Sequence, residues 1–457
     1  MRISHDTIAA IATASGPAAI NVIRISGSDA IPLADKVFRG RMKLAEVPSH
    51  TVHYGNIIDP ETGRVLDEVL VSVFRAPNSY TGEDMVEIST HGGNYVAPKI
   101  LNLLIKLGAR LAEPGEFTFR RVLSGKIDLT QAEAVLALTT AQNEASYRSA
   151  LALLQGKLSS YIEELREKLK DALVELENLL EFEENPQLAL KEFAAVKQRL
   201  SEASKNLQAK LEHSQKLSFL TSGVYCAIIG KANVGKSSLF NRLLGEDRSI
   251  VTPFPGTTRD SIEQATVLDG VVFHFIDTAG LRMLRQSTKE QKIEALGIKR
   301  TEDWISRADI LLLVFDNSTT FSKADQLVIE QAQKKPALWV INKIDRPKKF
   351  DYNKLPTKKL YMVSAKYNQG ISELKQALAK TYTARLKALG DDFLFNERHI
   401  AILERVSGAL AQALKESYIE PVIYNIQVAL DELGKITRPV TEEEVLDEIF
   451  SRFCIGK

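Results

Sequence analysis

The sequence predicts a multidomain α/β chain: an α+β N-terminal domain, a discontinuous all-α domain, and, inserted between the two helical parts, a phosphate-loop domain with a mostly parallel sheet. Three observations support this. Residues 1–118 mix short strand-like runs with glycine and proline punctuation, residues 119–216 and 383–457 carry helical periodicity, and residues 217–382 alternate apolar runs with helical segments. An inserted domain flanked by two halves of another is a common arrangement, so the helical parts are read as one domain.

In the N-terminal domain the strand-like runs are Ile20 to Ile25, Leu70 to Phe74 and Met85 to Ser89. The apolar stretch Ile8 to Ile11 with Ala12-Thr-Ala14 resembles a leader and its cleavage site, but it is too short, Asp6 lies beside it, and Gly16-Pro17 leads straight into a strand. From Asp128 the pattern turns helical. Thr130 and Glu133 suggest a capping box, and Leu151, Leu154, Leu158, Ile162, Leu165, Leu169, Leu176 and Leu180 recur at helical spacing, with Glu163, Glu164, Lys168 and Lys170 on the other face. This predicts a packed helical bundle. In the inserted domain strands are expected at Val224 to Ile229, Val271 to Ile276, Ile310 to Phe315, Leu338 to Ile341 and Leu360 to Val363, with ligand loops at their carboxyl ends. Beyond residue 383, Ile400, Leu403, Val406, Leu410 and Leu414 share one helical face.

The 457 residues include 59 basic and 58 acidic side chains, a net charge of +1, so no global electrostatic footprint for nucleic acid or anionic lipid exists. An RNA partner must use a local patch. Two cysteines, Cys226 and Cys454, fit a reducing, cytoplasmic setting. No stretch is long enough to span a bilayer, so no membrane partner is expected, and Cys454-Ile-Gly-Lys457 is a poor prenylation box because Gly456 is not aliphatic. The seven histidines form no metal-ligand cluster, and His91 beside two glycines reads as a turn residue.

The stretch Gly230-Lys-Ala-Asn-Val-Gly235-Lys236-Ser237 fits G-x-x-x-x-G-K-[ST] and follows an apolar run that reads as a buried strand. In such a loop Asn233, Val234, Gly235, Lys236, Ser237 and Ser238 wrap the phosphates. Lys236 reaches the β and γ oxygens, and Ser237 ligates Mg2+. A chain this long shows the pattern by chance roughly one or two times in a hundred. Four further elements in the order of a Ras-like fold remove the chance explanation. Gly256-Thr257-Thr258-Arg259-Asp260 supplies a threonine loop in which Thr258 is the second Mg2+ ligand. Asp277-Thr278-Ala279-Gly280 ends a strand and faces the metal shell and the γ-phosphate. Asn342-Lys343-Ile344-Asp345 specifies guanine, because a carboxylate pairs with two adjacent N–H donors that adenine lacks; a buried Asp345 left unpaired by the wrong base would sharpen the choice. Ser364-Ala365-Lys366 contacts the base carbonyl through backbone N–H groups. The nucleotide is therefore GTP.

Ras-like switches place a water-orienting glutamine after the glycine of Asp277-Thr-Ala-Gly280, and here that position is Leu281. Something else must position the water. Asn233 either offers its side-chain carbonyl to a monovalent cation beside the β and γ phosphates or simply shapes the loop.

With these motifs, the helical flanks, Thr81-Gly-Glu-Asp84, His91-Gly-Gly93, Pro114-Gly-Glu-Phe117 and the terminal Phe453-Cys454-Ile-Gly-Lys457 in view, the chain resembles the MnmE (TrmE) family of bacterial tRNA modification GTPases along essentially its whole length. The resemblance implies an N-terminal folate-binding domain and a homodimer formed through that domain. It also implies a heterotetramer with the FAD-dependent partner MnmG and addition of an aminomethyl or carboxymethylaminomethyl group to C5 of the wobble uridine of tRNA. The one-carbon unit comes from 5-formyltetrahydrofolate or a related tetrahydrofolate. GTP brings two G domains together, and K+ occupies the arginine-finger position. Residue by residue, Asn233 becomes a K+ ligand together with main-chain groups at Thr252, Phe254 and Thr257, and the water-orienting glutamate matches Glu294. The segment from Gly280 to Glu294 is longer than the family's, which keeps Glu290 as a second choice. The catalytic set is then Glu294, Lys236 and Asn233. For folate the matching positions are Arg24, Glu87, Lys126 and Lys457, cations for the glutamyl tail and a carboxylate for the pterin amine. Cys454 has no assigned role. Two other readings stand beside this one, a ribosome-assembly GTPase and a scaffold that uses GTP only as a switch.

Overall fold

Alternation of apolar and polar residues along the N-terminal segment builds a seven-stranded sheet: β1 (Ile8–Ile11), β2 (Ile20–Ser26), β3 (Phe38–Gly40), β4 (Thr51–Ile58), β5 (Val65–Phe74), β6 (Met85–His91) and β7 (Arg110–Leu111), in the order β3-β4-β5-β6-β2-β1-β7. The structure, a computed structural model, describes residues 6–14, 16–181, 186–217, 223–245, 263–277, 308–332, 335–386, 393–438 and 449–457. Two units emerge: Met1–Leu136 with Leu153–Ser204 and Ile402–Lys457, and Ala137–Ala152 with Lys205–Ala401.

One face of the first sheet is covered by α1 (Ala30–Val37) and α2 (Val96–Lys106), whose Ile31, Leu33, Ile100 and Leu104 pack on Ile23, Ile25, Val71, Val86 and Ile88. Period-2 geometry sends the intervening residues, Arg24 and Glu87 among them, to the other face, where they stand opposite each other in register. Strands β1, β3, β4 and β7 went unread in the sequence. The apolar Ile8–Ile11 is buried next to β2, and β4 alternates too weakly to stand out.

Helices follow as expected: α3 (Glu116–Leu123), α4 (Leu129–Thr140), α5 (Glu144–Leu154), α6 (Lys157–Glu181) and α7 (Pro186–Leu217). The capping box at α4 is shifted from Thr130–Glu133 to Asp128–Gln131. Gln131 N donates to Asp128 Oδ1 at 3.0 Å and Asp128 N donates to Gln131 Oε1 at 3.1 Å, while Thr130 is buried. The leucine stripe is also interrupted, because Gly156 at φ +82° separates α5 from α6. Beyond it Leu158, Ile162, Leu165, Leu169 and Leu176 are buried as the spacing predicts, whereas Leu180 is exposed.

The second unit carries a six-stranded sheet, β8 (Val224–Ile229), β9 (Glu263–Leu268), β10 (Val271–Asp277), β11 (Ile310–Asp316), β12 (Ala337–Asn342) and β13 (Leu360–Met362), in the order β13-β12-β11-β8-β10-β9. Among the described strands of this sheet only β9 is antiparallel. Continuous apolar runs suit strands covered on both faces: α8 (Lys236–Leu244) and α10 (Ile371–Leu386) belong to one core cluster, with Leu239, Leu243, Leu374 and Leu378, while Val328 and Ile329 of α9 (Lys323–Ala332) belong to the other. The remaining helices, α11 (Glu397–Lys415) and α12 (Ile419–Thr437), bury Leu403, Val406 and Leu410 and, on α12, Val422, Ile426 and Leu433. All three boundaries drawn on sequence fall inside helices: residue 118 lies in α3, residue 216 in the last turn of α7 and residue 382 in α10.

Candidate functional site

The carboxyl ends of β8, β10, β11, β12 and β13 converge on one edge of the second sheet, the position where parallel α/β sheets bind ligands. From β8 the chain enters the phosphate loop. Gly235 has φ +94° and a Cβ there would stand 2.4 Å from Asn342 Nδ2, so the turn into α8 accepts only glycine. Lys236 is nearly buried, and its Nζ donates to Gly230 O and Lys231 O, both at 2.9 Å, arching the side chain over the loop. Ser237 and Ser238 are exposed in the first turn of α8, where free N–H groups and the helix dipole favour an anion. The cradle fits a nucleotide phosphate chain.

Asn342 joins three loops. Its Nδ2 donates to Val234 O at 2.8 Å, and its Oδ1 accepts from Lys343 N at 2.8 Å and Ala365 N at 3.1 Å. Sequence reasoning gave this residue to the nucleotide; the structure makes it the bolt that holds the phosphate loop against both base-side loops. Lys343, at φ +64°, donates through Nζ to Asn233 O at 2.5 Å and to Asp316 Oδ2 at 2.6 Å. Burial pushes the Asp316 carboxyl up, but Lys343 and Ser318 outweigh it and hold the group below the usual carboxylate range. Arg242 of α8 donates to Ala365 O and Lys366 O, closing the frame.

Asp345 is exposed, which corrects the expectation of a buried carboxylate. The Ser364 hydroxyl donates to its Oδ1 at 2.6 Å and, with Arg346 and Lys366 nearby, holds its carboxyl below the ordinary range. It is therefore an aimed, ionised, acceptor-only group, suited to a pair of base N–H donors. Asn233 adopts φ +63° with its side chain exposed. Asp277 terminates β10 opposite Ile228. Thr252, Phe254, Thr257, Thr258, Thr278, Ala279, Gly280, Leu281, Glu290 and Glu294 lie outside the described residues.

The N-terminal sheet brings most of the other set together. Arg24 Nε and Nη2 donate to Glu87 Oε1 at 2.9 and 2.7 Å, and Nη1 donates to Gly456 O at 3.1 Å. The same guanidinium lies 5.2 Å from the Tyr80 ring centre and 5.6 Å from that of Phe117. Lys457 is half-buried: burial first, then the Arg24 charge, pushes its ammonium below the usual lysine range, against an opposing pull from Cys454. The partly exposed Tyr80 ring, a carboxylate and two cations fit a pterin with an anionic tail, while Phe117 is buried beneath Arg24. Lys126 is exposed beside Gly82, and among the described residues no hydrogen bond or ion pair joins it to Arg24 or Glu87. His91 ends β6, and Asp67, 2.6 Å from its Nδ1, raises its pKa.

Several residues that organise these sites escaped the sequence reading. Asp6, Glu83 and Glu116 form one network with Arg110 and Arg120, including contacts of 2.5 Å between Arg110 and Asp6 and 3.0 Å between Arg120 and Glu116. It locks the Thr81-Gly-Glu-Asp84 and Pro114-Gly-Glu-Phe117 motifs to the strand that starts at Ile8. In the second unit Lys231 pairs with the buried Asp325 at 2.9 Å, and Asp316 ends β11 with Asn317 next to it. A polar pair ending a fully apolar strand was the signal available.

The family profile described as MnmE helical domain matches residues 129–454, and that described as GTP-binding protein TrmE N-terminus matches residues 7–126. The chain is 40% identical to the tRNA modification GTPase MnmE of Thermoanaerobacter pseudethanolicus, over 99% of each chain. It is 39% identical to that of Ligilactobacillus salivarius, over 99% of this chain and 98% of the relative. Among solved structures, Era of Aquifex aeolicus bound to GDP and aluminium fluoride matches 43% of this chain and 70% of its own at 25% identity and a TM-score of 0.26.

Proposed function

The chain belongs to the MnmE family of tRNA modification GTPases, and from that premise we propose that it is a potassium-activated, dimerisation-dependent GTPase. It works with the FAD-dependent MnmG, as a heterotetramer, on C5 of the tRNA wobble uridine. Its class is established by the family: it is a GTP-hydrolysing tRNA-modification enzyme.

The observation that supports the cation reading is Asn233. Its backbone is pinned in a left-handed conformation by the Lys343 ammonium on its carbonyl, and its side-chain amide has no protein partner among the described residues. A pinned backbone with a free side-chain carbonyl is a ligand held ready. Bound K+ would supply positive charge beside the β and γ phosphates, together with backbone groups at Thr252, Phe254 and Thr257. Ser237 and Thr258 would hold Mg2+, Lys236 would bind the phosphates, and Glu294 would orient the attacking water. Asp345 with Ser364, Ala365 and Lys366 reads the guanine.

In the N-terminal domain, proposed as the folate-binding and dimerisation module, Glu87 accepts from the pterin amine and Arg24, Lys126 and Lys457 attract the tail. Among the described residues no helix is long and apolar enough to cross a membrane, and a cytoplasmic location is proposed. The test is GTP turnover in potassium against sodium. Wild type should be much faster in potassium and Asn233→Ala should lose the difference, whereas equal rates in both salts for wild type overturn the cation role. Mass analysis of wobble uridine in tRNA from cells lacking the protein tests the substrate.

A further inference from the structure

Charge along this near-neutral chain is unevenly distributed. From Lys343 to Lys366 eight basic residues face two acidic ones, whereas the rest of the chain carries 51 basic and 56 acidic residues. The excess lies on the connection from β12 to β13, which holds Arg346, Lys348, Lys349, Lys354, Lys358 and Lys359, all exposed. Among the described residues Lys349, Lys358 and Lys359 make no ion pair with a carboxylate.

This connection is long for a compact domain, and long loops are usually functional or disordered. Here the backbone is fixed. Asn317, buried at the end of β11, donates its N–H to Asn342 O at 2.9 Å and accepts at its carbonyl from Lys349 N at 2.8 Å and Phe350 N at 3.2 Å. Its side chain donates to Arg346 O at 3.0 Å and accepts from the Tyr352 hydroxyl at 2.5 Å. Phe350 and Leu355 plug the segment into the core beside Phe315. Tyrosines stand among the amines: Lys348 Nζ is 4.0 Å from the Tyr352 ring centre, Lys366 Nζ is 4.8 Å from that of Tyr367, and Tyr367 is exposed.

We propose that the anchored basic connection between β12 and β13 is a docking ledge for the phosphate backbone of tRNA. The proposal rests on the chain's tRNA-modification activity, and it answers where a chain with no global positive field can hold RNA. Binding an anion to amines on a pre-ordered backbone carries little ordering cost, and interleaved tyrosines offer faces to unstacked bases. The surplus of amines over carboxylates, with three lysines unpaired, favours a polyanion over a protein carrying a few acidic side chains.

The test is binding of an unmodified full-length tRNA transcript to the full chain without any partner protein, over a salt series. The variant carries Lys349→Gln, Lys358→Gln and Lys359→Gln, none of which touches the nucleotide site. A charge-matched control carries Lys36→Gln, Lys43→Gln and Lys106→Gln on the N-terminal domain. Losing three phosphate contacts should weaken binding roughly tenfold or more near 0.1 M salt and lower the slope of log affinity against log salt by about 2–3, with GTP turnover in the absence of tRNA unchanged and the control behaving as wild type. Equal weakening in the control shows a net-charge effect and overturns the ledge. Unchanged tRNA binding by the variant overturns it while leaving the tRNA role intact, the more so if binding to phosphatidylserine vesicles is what the variant loses. A wild-type chain with no saturable tRNA binding overturns the ledge and shifts RNA recognition to a partner.

Discussion

Asn342→Ala is the sharpest probe of how the nucleotide site is assembled. The substitution removes the donor that reaches Val234 O at 2.8 Å and the acceptor for Ala365 N at 3.1 Å, both in buried surroundings. Each buried group left unpaired costs about 1–3 kcal/mol, so the two together cost about 2–6 kcal/mol if no water replaces the amide. Expressed entirely in nucleotide affinity, that is about 30-fold to about 20,000-fold. Titration with a fluescent guanine nucleotide, run beside thermal unfolding of the same variant, separates loss of affinity from loss of fold. Asn342→Asp should not rescue, because it restores the acceptor but sets a carboxylate against the Val234 carbonyl. An alanine variant that binds within about threefold of wild type and unfolds at the same temperature would refute the idea that this side chain bolts the loops together.

Three further outcomes are expected. Asp345→Asn should shift preference from GTP towards xanthosine triphosphate, measured by competition, and unchanged preference removes Asp345 from base recognition. Gly456→Ala places a Cβ 2.6 Å from the Ile11 carbonyl at a residue with φ +95°, so hydrogen exchange of the β1 amides should accelerate; unaltered protection means the tail does not bear on that strand. Asp316 is held below its ordinary value of 3.8, so its contribution to stability is full above that value and is lost as the pH falls from 3.8 through the lower folded value. Wild type should exceed Asp316→Asn in stability at neutral pH and converge with it in acid. A gap that widens below pH 3.8 contradicts the pairing with Lys343.

How much of this could be read in advance differs between the two sheets. Strands β8 and β11 at the centre of the nucleotide domain are buried nearly throughout and appear as unbroken apolar runs, so Ile310–Asp316 and Val224–Ile229 were located almost to the residue, whereas the edge strand β9 was not read. Strand β4, with exposed Val52 and Tyr54 beside buried Gly55 and Ile57, offers no such run and was missed. The same contrast holds for side chains. Gly235 and Lys236 belong to one contiguous motif and Asp345 to another, each with a spacing that its chemistry dictates. Asp316, Asn317 and Asp325 act across loops distant in sequence, and only topology places them beside the phosphate loop or its neighbours. Arg24 and Glu87 are the intermediate case: as lone charges they carry no signal, yet antiparallel register sets them face to face.

The contact between Arg24 and Gly456 spans 432 positions of sequence. A ribosome therefore adds Gly456 432 residues after Arg24, and only then does the first domain receive the backbone carbonyl, the lysine and the two phenylalanines, Phe450 and Phe453, that pack with Phe119 and Val122. Products of premature termination can fold a nucleotide domain yet carry an unfinished N-terminal pocket. Such fragments would hold a nucleotide fold beside an incomplete pocket, so the stretch from Phe450 to Gly456 acts as a checkpoint on the use of the strand that carries Arg24.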